Sequence, residues 1–266
     1  MTARFIALPL FCAALIAPAT PPAQAEEADE TPAKRTRIFI GPQFFPEYPG
    51  AKDLGVGPFM DYSRSPVGTP FEFEAPDESI GLGLIGNDRF SIGPAANLVR
   101  KRRASDVGGQ LPEVKRTIEV GAFAQAWITP AFRLRAEGRR GINGHDGWVG
   151  NISADYVARD GDDWLFSIGP RVTLADAKVQ RAYFGVAPTD TAASGLASFR
   201  PNGGVQAVGV TAGFLRQLTP SLGIAAYARY DRLVGDAAKS PVTRAFGSRN
   251  QPSAGIALSY TFGGER

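Results

Sequence analysis

Apolar and polar side chains alternate with a period of two along most of the chain. In residues 255–262, Ile256, Leu258 and Tyr260 alternate with small or polar residues, and the same parity, with apolar residues at even positions, recurs upstream. This alternation predicts strands with one apolar and one polar face. Twelve strands are predicted, over residues 37–41, 56–63, 71–75, 79–85, 90–98, 118–128, 132–139, 148–156, 164–174, 208–215, 222–231 and 255–262.

The connections between these strands alternate between short and long. Short turns with Pro, Asp or Gly are predicted at residues 64–69, 87–88, 129–131, 160–163 and 219–221, and long connections at 42–53, 100–116, 141–147, 176–204 and 235–250. A short link at residues 76–78 breaks the alternation. Bacterial outer-membrane barrels have short periplasmic turns and longer outer loops. The pattern therefore predicts an all-β fold, a transmembrane antiparallel β-barrel of about twelve strands with both termini in the periplasm.

The two predicted faces favour this barrel over a secreted β-sandwich or a soluble barrel of eight to ten strands. Small residues on the apolar face are tolerated by lipid, whereas a soluble core must be packed tightly. The opposite face carries ionisable residues, namely Arg133, Arg135, Arg139, Arg171, Arg229, Glu119, Glu137, Asp155 and Asp231. These predicted lumen charges could line an anion-selective constriction. Pairing across strands, which fills the lumen with ion pairs, is the favoured interpretation.

The first 25 residues have the pattern of a secretory signal peptide. Arg4 supplies the positive charge, residues 5–17 are apolar, and Ala23-Gln24-Ala25 has the form of a cleavage site. We therefore expect a cleaved signal peptide over residues 1–25, a flexible periplasmic lead-in over 26–35, the barrel over 36–262 and a short tail over 263–266. Since Cys12 lies in the signal peptide, the mature chain is expected to hold no thiol.

The residue inventory argues against catalysis and against nucleic-acid binding. The formal net charge is only +3, which gives no strong attraction to nucleic acid. The chain has one histidine, His145, in a glycine-rich loop without a nucleophile motif. We interpret it as a solvated loop residue rather than a catalytic base. We therefore expect no enzymatic activity, no metal and no cofactor.

Two of the predicted long connections have features of their own. The first holds six basic residues: Arg100, Lys101, Arg102, Arg103, Lys115 and Arg116. Facing outward, they would meet the phosphates of lipopolysaccharide, although an ordinary solvated charge run explains them equally well. The connection 176–204 is long enough to fold into the lumen or to bind a partner.

Several short motifs, in order, resemble the MipA/OmpV family of outer-membrane proteins. They are Gly41-Pro42 with Pro46–Gly50, the Ser-Ile-Gly-Pro tetrads at Ser91 and Ser167, Ala182–Val186 with Ala192–Leu196, Tyr230–Pro241, and the last strand from Gly255 to Phe262. The resemblance covers residues 39–262. The chain departs from the usual aromatic end of such barrels, because four residues follow Phe262.

The resemblance implies an outer-membrane scaffold in contact with membrane lipids and lipopolysaccharide. One member of that family is understood to bridge a lytic transglycosylase and a penicillin-binding protein in murein synthesis. Other members are described only as antigens or adhesion-related proteins. A narrow pore, or a transport or adhesion barrel that acts through its lumen or outer loops, is the alternative expectation.

Overall fold

The computed structural model describes residues 33–263. The predicted signal peptide, most of the lead-in and the last three residues lie outside the described residues. The strands are β1 Lys34–Pro46, β2 Leu54–Pro66, β3 Ile80–Gly81, β4 Ile85–Asn87, β5 Phe90–Val99, β6 Thr117–Thr129, β7 Phe132–Ile142, β8 Trp148–Asp160, β9 Trp164–Ala175, β10 Gly204–Gln217, β11 Leu222–Leu233 and β12 Asn250–Phe262. The helices are α1 Ala177–Phe184, α2 Thr191–Ser194, α3 Gly235–Lys239 and α4 Pro241–Phe246.

The described strands form a single curled antiparallel sheet. Its order is β2-β1-β12-β11-β10-β9-β8-β7-β6-β5-β3, and β4 also pairs with β5. The sheet curls around a lumen, with the short turns at one end (the turn end) and the long connections at the other (the loop end). The prediction of an all-β transmembrane antiparallel barrel is confirmed. No helix among residues 33–263 is both long and apolar enough to cross a membrane.

The predicted parity of the strands holds throughout the sheet. Large exposed apolar side chains on the strands are even-numbered, with Ile85 and Val205 as exceptions, and Val205 lies beside a bulge in the pairing of β9 with β10. Buried inward residues of the long strands are almost all odd-numbered, from Arg37 and Phe39 in β1 to Ser259 in β12. Because side chains alternate across a strand, one shared parity gives the sheet an apolar outer face and a polar inner face.

The predicted strand over residues 71–75 is wrong. Residues 70–79, here called the inner segment, leave the wall and run through the lumen without strand pairing. The sequence gives a physical reason, because acids fall on both faces: Asp77 is odd-numbered, and Glu72 and Glu74 are even-numbered. Any strand register would turn carboxylates toward lipid, at a cost of several kcal/mol. The predicted turn at 76–78 is consequently not a link at the membrane edge but the tip of the inner segment.

Other boundaries also differ from prediction. The predicted strand at 79–85 is reduced to the short pieces β3 and β4, which lie on the same pass of the chain and pair with β5. β1 begins at Lys34, inside the predicted lead-in, and continues to Pro46, which shortens the predicted connection 42–53. The long connections 176–204 and 235–250 contain the four helices.

Candidate functional site

The inner segment packs its apolar side chains against the far wall of the lumen. Phe71, Phe73 and Ala75 are buried, and Phe73 and Ala75 share a cluster with Val157 of β8. The backbone of the segment is held by side chains, since Arg133 donates to the Phe73 carbonyl at 3.1 Å. At the turn end, the Phe71 N–H donates to Asp162 at 3.0 Å and Arg159 donates to the Phe71 carbonyl at 2.9 Å.

Asp77, at the tip of the inner segment, joins the segment to three strands of the wall. Arg171 of β9 donates to its carboxylate from Nε at 2.7 Å and from Nη2 at 3.0 Å, a bidentate contact. Arg229 of β11 donates at 3.0 Å, and the Thr211 hydroxyl of β10 donates at 2.8 Å. Charge-assisted bonds of this kind are among the strongest in proteins. Asp77 is therefore the main polar anchor of the inner segment.

Glu78, the next residue, contacts the arginines of β7. It pairs with Arg133 and lies 3.7 Å from Arg135. Asp155 of β8 accepts from Arg133 at 2.9 Å and from Arg171 at 2.8 Å, so it links the partners of Asp77 to those of Glu78. The two carboxylates of the inner segment are thus part of one continuous network of buried charges.

A second part of this network lies closer to the loop end. Glu119 of β6 accepts from Arg139 at 3.0 Å and from Asn97 at 3.1 Å. His145 Nδ1 accepts from the Gly147 N–H at 3.2 Å, so its Nε2, 3.0 Å from Glu119, is the nitrogen that donates to the carboxylate. His145 is buried, and the prediction of a solvated loop histidine is wrong. The reason is tertiary, because the loop folds back onto β6.

All nine predicted lumen charges lie on the inner face of the sheet. Arg229 pairs with Asp231 at 2.6 Å, Arg135 with Glu137 at 2.9 Å, and Arg139 also contacts Glu137. Each of the five arginines therefore has a carboxylate partner. With Asp77 and Glu78 included, six carboxylates face the five arginines. This balance does not produce the excess of positive charge that an anion-selective constriction needs.

Several residues of the network are not among the predicted site residues. Asp77 and Glu78 fall in the predicted short link at 76–78. Arg37 is an unpredicted lumen residue, buried beneath the Phe71 ring, 4.0 Å from its centroid. Arg37 has the odd parity of the other inward residues, so the parity rule could have identified it. Acids on both faces of residues 71–79 were the available signal that this segment does not face lipid.

The long connections form a folded cap over the loop end. Tyr183 and Phe184 of α1 are buried with Ala237 of α3, Tyr48 and Leu233 in one cluster. A second cluster joins four other buried residues of the cap, Val107, Leu111, Val186 and Val242. Burial, with a smaller contribution from Glu119, raises the pKa of the Tyr183 hydroxyl, which is neutral at physiological pH.

A polar chamber lies between the cap and the inner segment. Its volume is about 470 Å³, and its lining includes Asp77 and Ser79 from the inner segment, Asn151 and Arg139 from the wall, and Tyr183 from the cap. A smaller cavity of about 80 Å³ lies on the other side of the inner segment, toward the turn end. The inner segment therefore divides the lumen, and the larger space is on the loop side.

The six basic residues of the predicted lipopolysaccharide contact have different positions. Arg102 is buried and donates to the carbonyls of Tyr183 and Pro112, both at 2.7 Å, so it holds the cap together. Arg100 donates to the Val56 carbonyl of β2 at 2.7 Å. The four others are exposed: Lys101, Arg103, Lys115 and Arg116. Within residues 33–263, no group of three or more His, Cys, Asp or Glu residues is placed to hold a metal ion.

Comparisons with known proteins give one family and a set of structural similarities. The family model of the MltA-interacting protein MipA matches residues 38–262. No curated protein matches the sequence. An outer membrane channel from Pseudomonas putida F1 is similar in structure, with 10% identity, a TM-score of 0.44, and coverage of 87% of this chain and 95% of that chain. The KdgM porin is similar with 8% identity, a TM-score of 0.36, and coverage of 86% and 99%.

Proposed function

We propose, from the premise that this chain belongs to the MltA-interacting protein MipA family, that it is an outer-membrane scaffold without enzymatic activity. In this proposal, the predicted signal peptide directs export, the sheet spans the membrane, and the turn end faces the periplasm. The partner is a murein-remodelling enzyme, a lytic transglycosylase or a penicillin-binding protein. The support for this class of partner comes from family membership, because a fold by itself does not define a function.

The filled lumen is the observation that carries the scaffold proposal. The inner segment crosses the lumen and is anchored at Asp77 and Glu78 by buried arginines, and the cap covers the loop end. An open porin keeps a continuous aqueous channel through its lumen. A barrel whose lumen is filled by paired charges is better suited to act as a rigid platform than to let solutes diffuse through it.

Binding at the turn end would use a small surface. Val67 and Leu218 are exposed apolar side chains of two turns there, and single anchors of this kind carry much of the energy of an interface. Short turns bury less area than a standard interface of about 1,600 Å². We therefore expect the lead-in, residues 26–35, to contribute to a weak or transient complex.

A binding experiment tests the scaffold directly. The purified full-length barrel should retain a lytic transglycosylase or a penicillin-binding protein of the same host in a pull-down. The double variant V67D/L218D should lose this retention, because it places charges on the proposed contact. The control R103E changes a loop-end residue and should bind normally. Equal retention by both variants, or failure of every murein enzyme of the host to bind, would refute the proposal.

A narrow pore is the second candidate function, and the chamber favours it. A space of about 470 Å³ on the loop side is large enough to hold a small solute. Planar-bilayer recordings separate the two candidates. The scaffold predicts no steady unitary currents from the wild-type barrel, whereas a pore predicts them.

The exposed basic residues of the cap support a further contact with the outer leaflet. We expect Lys101, Arg103, Lys115 and Arg116 to bind lipopolysaccharide phosphates, which arginine matches in geometry. Replacing all four by Gln should reduce co-purified lipopolysaccharide. Unchanged lipopolysaccharide content would leave these residues as a solvated surface.

A further inference from the structure

The wall of the barrel has a seam where the inner segment has left it. β2 pairs only with β1, and β3 and β4 pair only with β5. Neighbouring strands of this sheet are antiparallel, yet β2 and β4, at its two edges, run in the same direction. One strand that runs the opposite way would therefore complete the wall between them. Residues 70–79 have the position in the chain for that strand, but they lie in the lumen. The free edge of β2 therefore faces β3 and β4 across a gap one strand wide.

The protein satisfies part of this free edge without another strand. The Val56 carbonyl of β2 accepts from Arg100, and the Pro58 carbonyl accepts from Gln43 at 2.7 Å. Pro58 has no N–H to leave unpaired. Side-chain contacts and proline are standard means of blocking strand addition at an edge. The seam is therefore a permanent feature of the wall and not a vacant position for another strand.

The chamber reaches the outer surface at this seam. Its lining includes Leu98 of β5, which has the even parity of the lipid face and is 58% exposed, together with Phe45 and Arg100. β3 pairs with β5 only at Ala95 and Ala96, so Leu98 has no strand neighbour on the side of β2 and the wall is open beside it. The chamber therefore opens sideways, between β2 and β5, toward the hydrocarbon.

The apolar surface beside the seam is unusually exposed. Ile80 and Ile85 are 83% and 70% exposed, against 50% for Ile152 on the continuous wall. Leu82 and Leu84, between the two short strands, are also exposed. These four side chains form an apolar track that runs from the mouth of the seam toward the turn end. The track is parallel to the acyl chains of the surrounding lipid.

Arg100 places a cation where the chamber meets this track. Its guanidinium lies 4.5 Å from the Phe45 ring and against β2, where a Cβ on either Gly55 or Gly57 would crowd it. It makes no ion pair among the described residues, whereas every arginine of the lumen network does. Its bond to Val56 uses one of five N–H donors.

We propose that the seam binds a long-chain fatty acid. The carboxylate accepts hydrogen bonds from Arg100 at the mouth of the polar chamber, and the hydrocarbon chain lies along Ile80, Leu82 and Leu84. One chain fits because the gap corresponds to one missing strand, roughly 4.8 Å of added spacing. The anionic headgroup fits because Arg100 has no carboxylate partner of its own.

Photo-crosslinking of the full barrel in phospholipid nanodiscs tests this site. A palmitic acid with a diazirine in its chain should label the peptide that contains Leu82 and Leu84 in preference to the peptide that contains Ile152. R100M should reduce the seam label about tenfold, as expected for the loss of a charge-assisted bond. R100K should retain part of it, and R181M, a matched change at an exposed arginine of α1 in the cap, should leave it unchanged.

The controls separate a specific site from general lipid contact. Heat-modifiable migration of each variant establishes that the barrel has folded. A diazirine phosphatidylcholine gives the labelling ratio of the two peptides that exposure to lipid alone produces, and the fatty acid should exceed this ratio at the seam. The proposal would be overturned if R100M left the labelling of the seam by the fatty acid unchanged. It would also be overturned if both probes were equally enriched at the seam. L98W, which narrows the seam, should also lower fatty-acid labelling without changing the label at Ile152.

Discussion

Replacing Asp77 by alanine tests whether the inner segment is held by its tip. The side chain of Asp77 is 5% exposed and accepts four hydrogen bonds, three of them from arginines. Removing one partner of a buried ion pair costs about 3–5 kcal/mol. Arg171 keeps Asp155 and Arg229 keeps Asp231, so we expect the lower end, a loss of about 3 kcal/mol in the free energy of unfolding.

Urea unfolding in detergent micelles, followed by tryptophan fluorescence, measures this loss. The control D163A removes an exposed carboxylate that has no side-chain ion pair among the described residues, and should change stability by less than about 0.5 kcal/mol. A released inner segment also unblocks the lumen, so D77A should produce unitary currents that the wild type and D163A lack. A loss below about 1 kcal/mol together with silent bilayers would refute the assignment of Asp77 as the anchor.

Three further substitutions, the first with a matched control, test the wall and the cap. Ile152→Arg places a charge near the middle of the lipid face of β8 and should lower the free energy of unfolding by about 2–4 kcal/mol. The control Leu218→Arg lies in a turn and should lower it by no more than about 1 kcal/mol. Equal losses in urea titrations would contradict the predicted membrane position. Phe184→Ala empties a buried site in the cap, at about 3–5 kcal/mol, and limited proteolysis should then cleave residues 176–204 while the strands stay intact. Arg102→Ala removes donors from two carbonyls and should speed amide exchange in α1; unchanged exchange would show that Arg102 does not hold the cap.

The lipid-facing and lumen-facing sides of the long strands followed directly from the sequence. The even-odd parity from Phe39 to Phe262 is a local property, because each backbone step turns the next side chain to the opposite face. The family followed as well, since the motifs lie within the residues that the family model matches. The inward position of the nine lumen charges is a consequence of the same parity.

The sequence does not predict which charged residues pair with one another across the lumen. Asp77 meets Arg171 and Arg229, which are 94 and 152 residues away, and His145 meets Glu119 only because its loop folds back. Alternation of Phe71, Glu72 and Phe73 is the same whether a segment lines the wall or crosses the lumen. Period-two patterning specifies a two-faced extended chain, and the cost of turning its acids toward lipid decides where that chain lies.

Sequence alone therefore determined which face of each long strand meets lipid, because that property depends only on the spacing of neighbouring residues. Tertiary structure decided that residues 70–79 fill the lumen, that a seam remains beside β2, and that the long connections close the loop end. Those features depend on charges and apolar side chains from distant strands meeting in one space, where a buried carboxylate is stable only if arginines surround it.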